Sequence, residues 1–160
     1  MNTIVKGIIF EDFVNYKKPS MVIEMPYCDF KCDKEYGSQI CQNSSLASQP
    51  NIEVDIKKVL DQYLQNPITE AIIFQGLEPF YAPLNLSLWI HNIRNVTQDT
   101  IIIYTGYNKD EIKEHIDRLG SQYTNIIIKY GRFVPNQEPH YDPVLGVKLA
   151  SDNQYAEVLS

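Results

Sequence analysis

All three cysteines of the 160-residue chain fall within fourteen residues: Cys28, then Asp29-Phe30-Lys31, Cys32, an eight-residue interval, and Cys41. A disulfide framework would need an even number of cysteines and an oxidising compartment. Three thiolates gathered by one loop suit a soft metal centre instead. Structural zinc takes four protein ligands, and the fourth would have to come from His91, His115 or His140, all distant in the chain. An electron-transfer 4Fe-4S site also takes four cysteines. Three cysteines leave one iron without a protein ligand. An open metal position is what chemistry on a bound small molecule requires, by the logic that separates catalytic from structural zinc.

A second constellation follows the apolar run at Ala71: Phe74-Gln75-Gly76-Leu77-Glu78-Pro79-Phe80. Glycine at a strand end permits close backbone approach to a ligand, and ligands of α/β folds collect at the carboxyl ends of strands. Tyr104-Thr105-Gly106-Tyr107 stands at the same place after the next run. It fits a small-ligand contact or a turn, since these residue types serve both. The histidines have plain readings: His91 and His115 fall within helical patterns, and His140 lies in a Pro-containing loop.

These residues need a frame. Four short, Ile- and Val-rich runs, at Met21–Met25, Ala71–Gln75, Thr100–Tyr104 and Asn125–Tyr130, are almost continuously apolar. Strands buried on both faces of a parallel sheet read this way. A weaker single strand is expected around Ile4–Phe10. Helical spacing appears between the runs. Asn51–Gln65 places Ile52, Ile56, Val59, Leu60, Tyr63 and Leu64 on one stripe, with Asn51 as its expected cap and Asn66-Pro67 as its stop. Leu86–Val96 and Asn108–Leu119 repeat the pattern, the latter expected to end at Gly120. Strands alternating with helices imply βαβ units, right-handed crossovers and a parallel α/β sheet. Cys28–Pro50 is a long polar segment, and such a loop in a compact domain is usually functional. Gly131–Asp142 reads as a surface loop, and residues 131–160 as a C-terminal loop region. One domain over residues 1–160 is expected.

Composition narrows the partners. A net charge of -6, with no basic stripe, disfavours nucleic acid, whose phosphates need clustered Lys and Arg. The N-terminus lacks the features of a secretory signal, and no run reaches the roughly 20 apolar residues of a membrane span. A cytoplasmic protein is expected, and a reducing cytosol keeps thiols available for metal.

With these motifs in place, the chain resembles the radical S-adenosylmethionine (radical SAM) superfamily, whose cysteine loop follows the first core strand of a βα fold. That family's spacing is three residues and then two. The first interval matches and the second is stretched to eight, with Gly37 positioned to let the extra residues fold out. Gly76, Glu78 and Pro79 match the family's Gly-Gly-Glu-Pro motif in type and order, with Leu77 in place of the second glycine. Tyr104-Thr105-Gly106-Tyr107, Ile128-Lys129-Tyr130-Gly131-Arg132-Phe133 and Ser151-Asp152-Asn153-Gln154 are similar to stretches of the activating enzymes of anaerobic ribonucleotide reductase. The resemblance covers most of Met21–Gln154.

It implies an incomplete parallel α/β barrel and a 4Fe-4S cluster held by Cys28, Cys32 and Cys41. It also implies S-adenosylmethionine contacted by Phe30, Gln75, Gly76, Leu77, Glu78, Pro79, Thr105, Lys129 and Asn153. Ile40 stands where the family often has an aromatic before the third cysteine, which turns the adenine contact to Phe30 or Tyr36. The implied activity is cleavage of S-adenosylmethionine to make a glycyl radical on a partner anaerobic ribonucleoside-triphosphate reductase, with an external electron donor. The cofactor carries the difficult chemistry, so no catalytic acid or base is expected in the chain. A small heterocyclic substrate such as a deazapurine precursor, or a non-catalytic zinc module, are the other two readings.

Overall fold

The four apolar runs do become strands, and their burial explains their composition. The computed structural model describes residues 1–28 and 44–160. In chain order the elements are β1 (Asn2–Val5), β2 (Gly7–Asp12), β3 (Ser20–Met25), α1 (Ser44–Ala47), β4 (Ile52–Asp55), α2 (Ile56–Gln65) and β5 (Ala71–Gly76). There follow α3 (Pro83–Arg94), β6 (Thr100–Tyr104), α4 (Lys113–Gln122), β7 (Ile126–Tyr130), β8 (His140–Asp142), β9 (Val147–Leu149) and β10 (Tyr155–Val158).

A six-stranded mixed sheet runs in the order β10-β7-β6-β5-β3-β2. Its four central strands, β3, β5, β6 and β7, are parallel neighbours in sequence order. The outer strands β2 and β10 are antiparallel to β3 and β7. With antiparallel strands at both edges, the expected all-parallel arrangement holds only for the centre of the sheet, and the described strands close no barrel. Because the strand order advances in one direction, right-handed crossovers put α2, α3 and α4 on the same face.

That helix face packs Met21, Ile23, Met25, Ile72, Phe74, Ile101, Ile103, Ile126 and Ile128 against Leu60, Trp89, Ile90, Ile93 and Ile116. Phe74 and Trp89 meet edge to face with centroids 6.4 Å apart, a favoured aromatic geometry. The opposite face carries Val22, Ala71, Ile73, Ile102 and Ile127 under Tyr16, Leu145 and Leu149. Leu149 belongs to the β8–β9 hairpin and Leu145 to its turn. Both faces are covered, hence the continuous apolar runs.

Several boundaries depart from the sequence reading. Ile4–Phe10 is two strands: β1 pairs with β4 and β2 with β3. The break is at Lys6, whose N–H donates to the Glu24 carbonyl (2.8 Å) and whose ammonium reaches the Ala47 and Gln49 carbonyls. The stretch expected to open a helix at Asn51 is instead strand β4, and the helix begins at Ile56. Asp55 caps it, accepting from the Lys57 N–H at 3.0 Å. Asn108 caps a single 3-10 turn, Lys109–Ile112, before α4. Gly120 does not stop that helix; it lies inside, where a Cβ would sit 3.5 Å from Leu159. The C-terminal region is not all loop, since it supplies β8, β9 and β10. Asp142 organises it: buried, it accepts from the N–H groups of Val144, Leu145 and Ala156, each at 3.0 Å.

Candidate metal centre

The carboxyl ends of the four parallel strands lie side by side, and every candidate residue in the described part of the chain emerges there except those at the C-terminus. Cys28 stands three residues beyond β3, a half-buried thiol. Cys32, Cys41, Phe30 and the turn expected at Gly37 lie outside the described residues. Among the described residues no three His, Cys, Asp or Glu side chains gather as a metal site, and His91, His115 and His140 lie on α3, α4 and β8.

The Gly76-Leu77-Glu78 backbone is zipped to the segment that leads into Cys28. Leu77 N–H donates to the Met25 carbonyl (3.1 Å) and Glu78 N–H to the Tyr27 carbonyl (2.7 Å). Gly76 is the residue that permits this. Its φ is +89°, and a Cβ there would lie 2.9 Å from both Glu24 Cα and Met25 N. The expectation that a glycine here makes room for a ligand is therefore refined: what it makes room for is the backbone of β3.

Glu78 is buried and fully engaged. Its Oε1 accepts from Gly106 N–H (2.7 Å), and its Oε2 from Thr105 Oγ1 (2.8 Å) and Phe80 N–H (3.0 Å). Burial is the largest influence on its carboxyl and pushes the pKa up to about 6, against the opposing pull of these donors and of the Lys129 charge. Glu78 thus staples the exit of β5 to the exit of β6, and Thr105 serves that staple.

The exit of β7 is held in turn. Thr105 N–H donates to the Lys129 carbonyl (2.9 Å) and Gly131 N–H to the Tyr107 carbonyl (3.1 Å). Lys129 is buried and donates to the Gly131 carbonyl at 3.1 Å. Gly131 has φ +105°, and Asn153 and Gln154 crowd the space a Cβ would take. Asn153 donates to the Arg132 carbonyl (2.8 Å), Gln154 to the Gly131 carbonyl (3.3 Å), and Gln154 Oε1 accepts from Ala150 and Ser151 N–H. The C-terminal Ser-x-Asn-Gln stretch buttresses the glycine turn after β7.

Sequence reasoning missed Glu24, the one charged residue in the β3 run. It shares the helix-free face with Gln75, its register partner on β5. A cleft of about 420 Å³ lies elsewhere, between α4 and Tyr155, lined by Lys109, Asp110, Lys113 and Asp117. None of the candidate residues lines it.

The arrangement presents one cysteine at the mouth of the sheet beside a tightly positioned backbone. The donor set fits an iron–sulfur cluster: a half-buried thiol at the strand ends, with two more cysteines within the following thirteen residues. A family model described as "4Fe-4S single cluster domain" matches residues 20–154. No curated protein and no solved structure matches the chain. No helix among the described residues is long and apolar enough to cross a membrane.

Proposed function

The chain belongs to the 4Fe-4S single cluster domain family and is an iron–sulfur protein, and on that premise we propose that it is a radical S-adenosylmethionine enzyme that generates a glycyl radical on a partner anaerobic ribonucleoside-triphosphate reductase. The observation that carries this reading is the backbone zip between Met25–Tyr27 and Leu77–Glu78. It sets a Gly-x-Glu-Pro segment directly beside the first cysteine of a three-cysteine loop, whose count leaves one iron open.

Cys28, Cys32 and Cys41 would hold the cluster. When bound, the cluster supplies the electron that breaks a carbon–sulfur bond of S-adenosylmethionine. The main chain of Gly76–Pro79 is the surface for the cofactor's amino group. Phe30 is assigned to its adenine. Gln75, Thr105, Lys129 and Asn153 belong to the same reading, and the last three support it by fixing the backbone around the strand ends, at Tyr107 N–H and the Gly131 and Arg132 carbonyls. The four parallel strands with helices on one face accord with an incomplete barrel of the radical S-adenosylmethionine type. An external electron donor and a cytoplasmic, anaerobic setting belong to the same reading. A partner protein belongs to it too, as the chain that carries the target glycine.

Anaerobic purification and cluster reconstitution test the reading. A brown protein that converts S-adenosylmethionine to methionine and 5′-deoxyadenosine is expected, with a glycyl-type paramagnetic signal once reductant and the reductase are added. A colourless zinc protein would remove the whole reading. An intact, cofactor-cleaving cluster with no glycyl signal would remove the partner alone.

A further inference from the structure

Four polar side chains form a single row across the parallel strands. Glu24 pairs with Gln75 and Tyr104 with Lys129, and the β5–β6 register, which pairs Phe74 with Ile103, sets Gln75 beside Tyr104. Side chains alternate along a strand, so all four share the face of Val22, Ile73, Ile102 and Ile127, away from the helices. The row caps that apolar layer at the end where the cysteine loop leaves.

Its two halves differ. Tyr104 Oη donates to the Asn15 carbonyl (2.5 Å) and Lys129 to the Gly131 carbonyl (3.1 Å). Glu24 and Gln75, both only partly exposed, have no side-chain hydrogen bond or ion pair among the described residues. Burial raises the Glu24 pKa and is its sole cause, as expected of a carboxylate that no donor reaches. Gly7, opposite Glu24 on β2, brings no side chain to cover it; a Cβ there would lie 3.3 Å from Oε1. Two side chains open to solvent and without a partner among the described residues, on adjacent strands about 4.8 Å apart with Glu24 four residues from Cys28, leave their polar atoms available to a ligand at this mouth.

We infer that Glu24 and Gln75 bind the main chain of the peptide substrate, an inference that rests on the proposed glycyl-radical activity and moves Gln75 from the cofactor to the substrate. A glutamine amide offers one acceptor and a donor pair, the complement of a peptide group. Glu24 adds an acceptor for a neighbouring N–H. Its charge repels phosphate and carboxylate ligands. Main-chain recognition suits a glycine target, which has no side chain to read.

The test uses the reconstituted full chain and a glycine-centred peptide capped at both ends, with affinity for the peptide and for S-adenosylmethionine measured separately. Losing a hydrogen bond to a charged group predicts a roughly tenfold to hundredfold weaker peptide Kd for Glu24→Ala. The isosteric Glu24→Gln, which keeps the acceptor and shape, should fall between it and wild type. Affinity for S-adenosylmethionine should stay at the wild-type value in both. Equal loss of both affinities would make Glu24 a cofactor ligand and overturn the assignment. So would unchanged peptide binding, or a wild type that cleaves the cofactor yet binds no peptide at roughly millimolar concentration. A wild type that does not cleave the cofactor removes the proposed function itself, and this assignment with it.

Discussion

Replacing Glu78 with glutamine should change how stability responds to pH, by an amount the structure sets. The carboxyl is buried, and its pKa is raised from 4.5 to about 6 by burial. A carboxyl with a raised folded-state pKa contributes stability that is complete below pH 4.5. That contribution fades as pH rises through 6, because the unfolded chain gives up its proton first. The difference, 6 − 4.5, corresponds to about 2 kcal/mol at about 1.36 kcal/mol per unit. Roughly half of that lies above pH 5. Glutamine cannot titrate, so this slope disappears in the variant.

A second, pH-independent effect accompanies it. Three donors converge on the two carboxyl oxygens, each of which keeps an acceptor lone pair in either protonation state, whereas an amide replaces one of them with a nitrogen that cannot accept. Whichever way the amide sits, a backbone N–H of Gly106 or Phe80 loses its acceptor, at a cost of about 1–3 kcal/mol. The assay is denaturant unfolding of wild type and Glu78→Gln in matched buffers from pH 5 to 7.5. Effects of pH on the cluster are shared by both proteins and cancel in the comparison. The variant should be the less stable at pH 5, with the gap narrowing by about 1 kcal/mol towards pH 7.5. A gap that widens with pH would mean that the donors outweigh burial, and would refute the reasoning.

Gly76→Ala should destabilise by at least about 1–2 kcal/mol from its positive φ alone, with a further cost from the 2.9 Å approach to β3. Loss of cluster absorbance should accompany the lower thermal midpoint. Asp142→Ala removes the acceptor of three backbone N–H groups and should cost about 2–4 kcal/mol, read by urea unfolding; a neutral result would mean that water replaces it fully. Cys41→Ala should abolish the cluster's visible absorption, and a cluster that survives would mean that the third ligand lies elsewhere.

The parallel centre of the sheet was legible because strands covered on both faces have nowhere to put polar residues, and Ile72, Ile102 and Ile127 show it. The segment before α2 misled because Ile52 and Ile56 also satisfy a helical spacing, while its pairing with β1 depends on residues fifty positions away. The strands β8 and β9 span three residues each, too few for any period to register. At the site, the glycine that ends β5 and the glutamate after it were visible as types. Their roles were not, since both come from contacts with other strands: Gly76 with β3 and Glu78 with the end of β6. Glu24 was hidden inside an apolar run and became conspicuous only when the register set it beside Gln75.

The outer strand β2 has a consequence for assembly. Its ladder with β3 is interrupted between Ile9 and Asp12, and its last two residues are Glu11 and Asp12. A strand arriving from another molecule would find a bent template ending in two acidic side chains, and an identical copy would bring the same charges to it. The β2 border of the sheet is thereby protected from self-pairing. Concentrated protein should stay dispersed through this border, and neutralising Glu11 and Asp12 together should raise its tendency to aggregate.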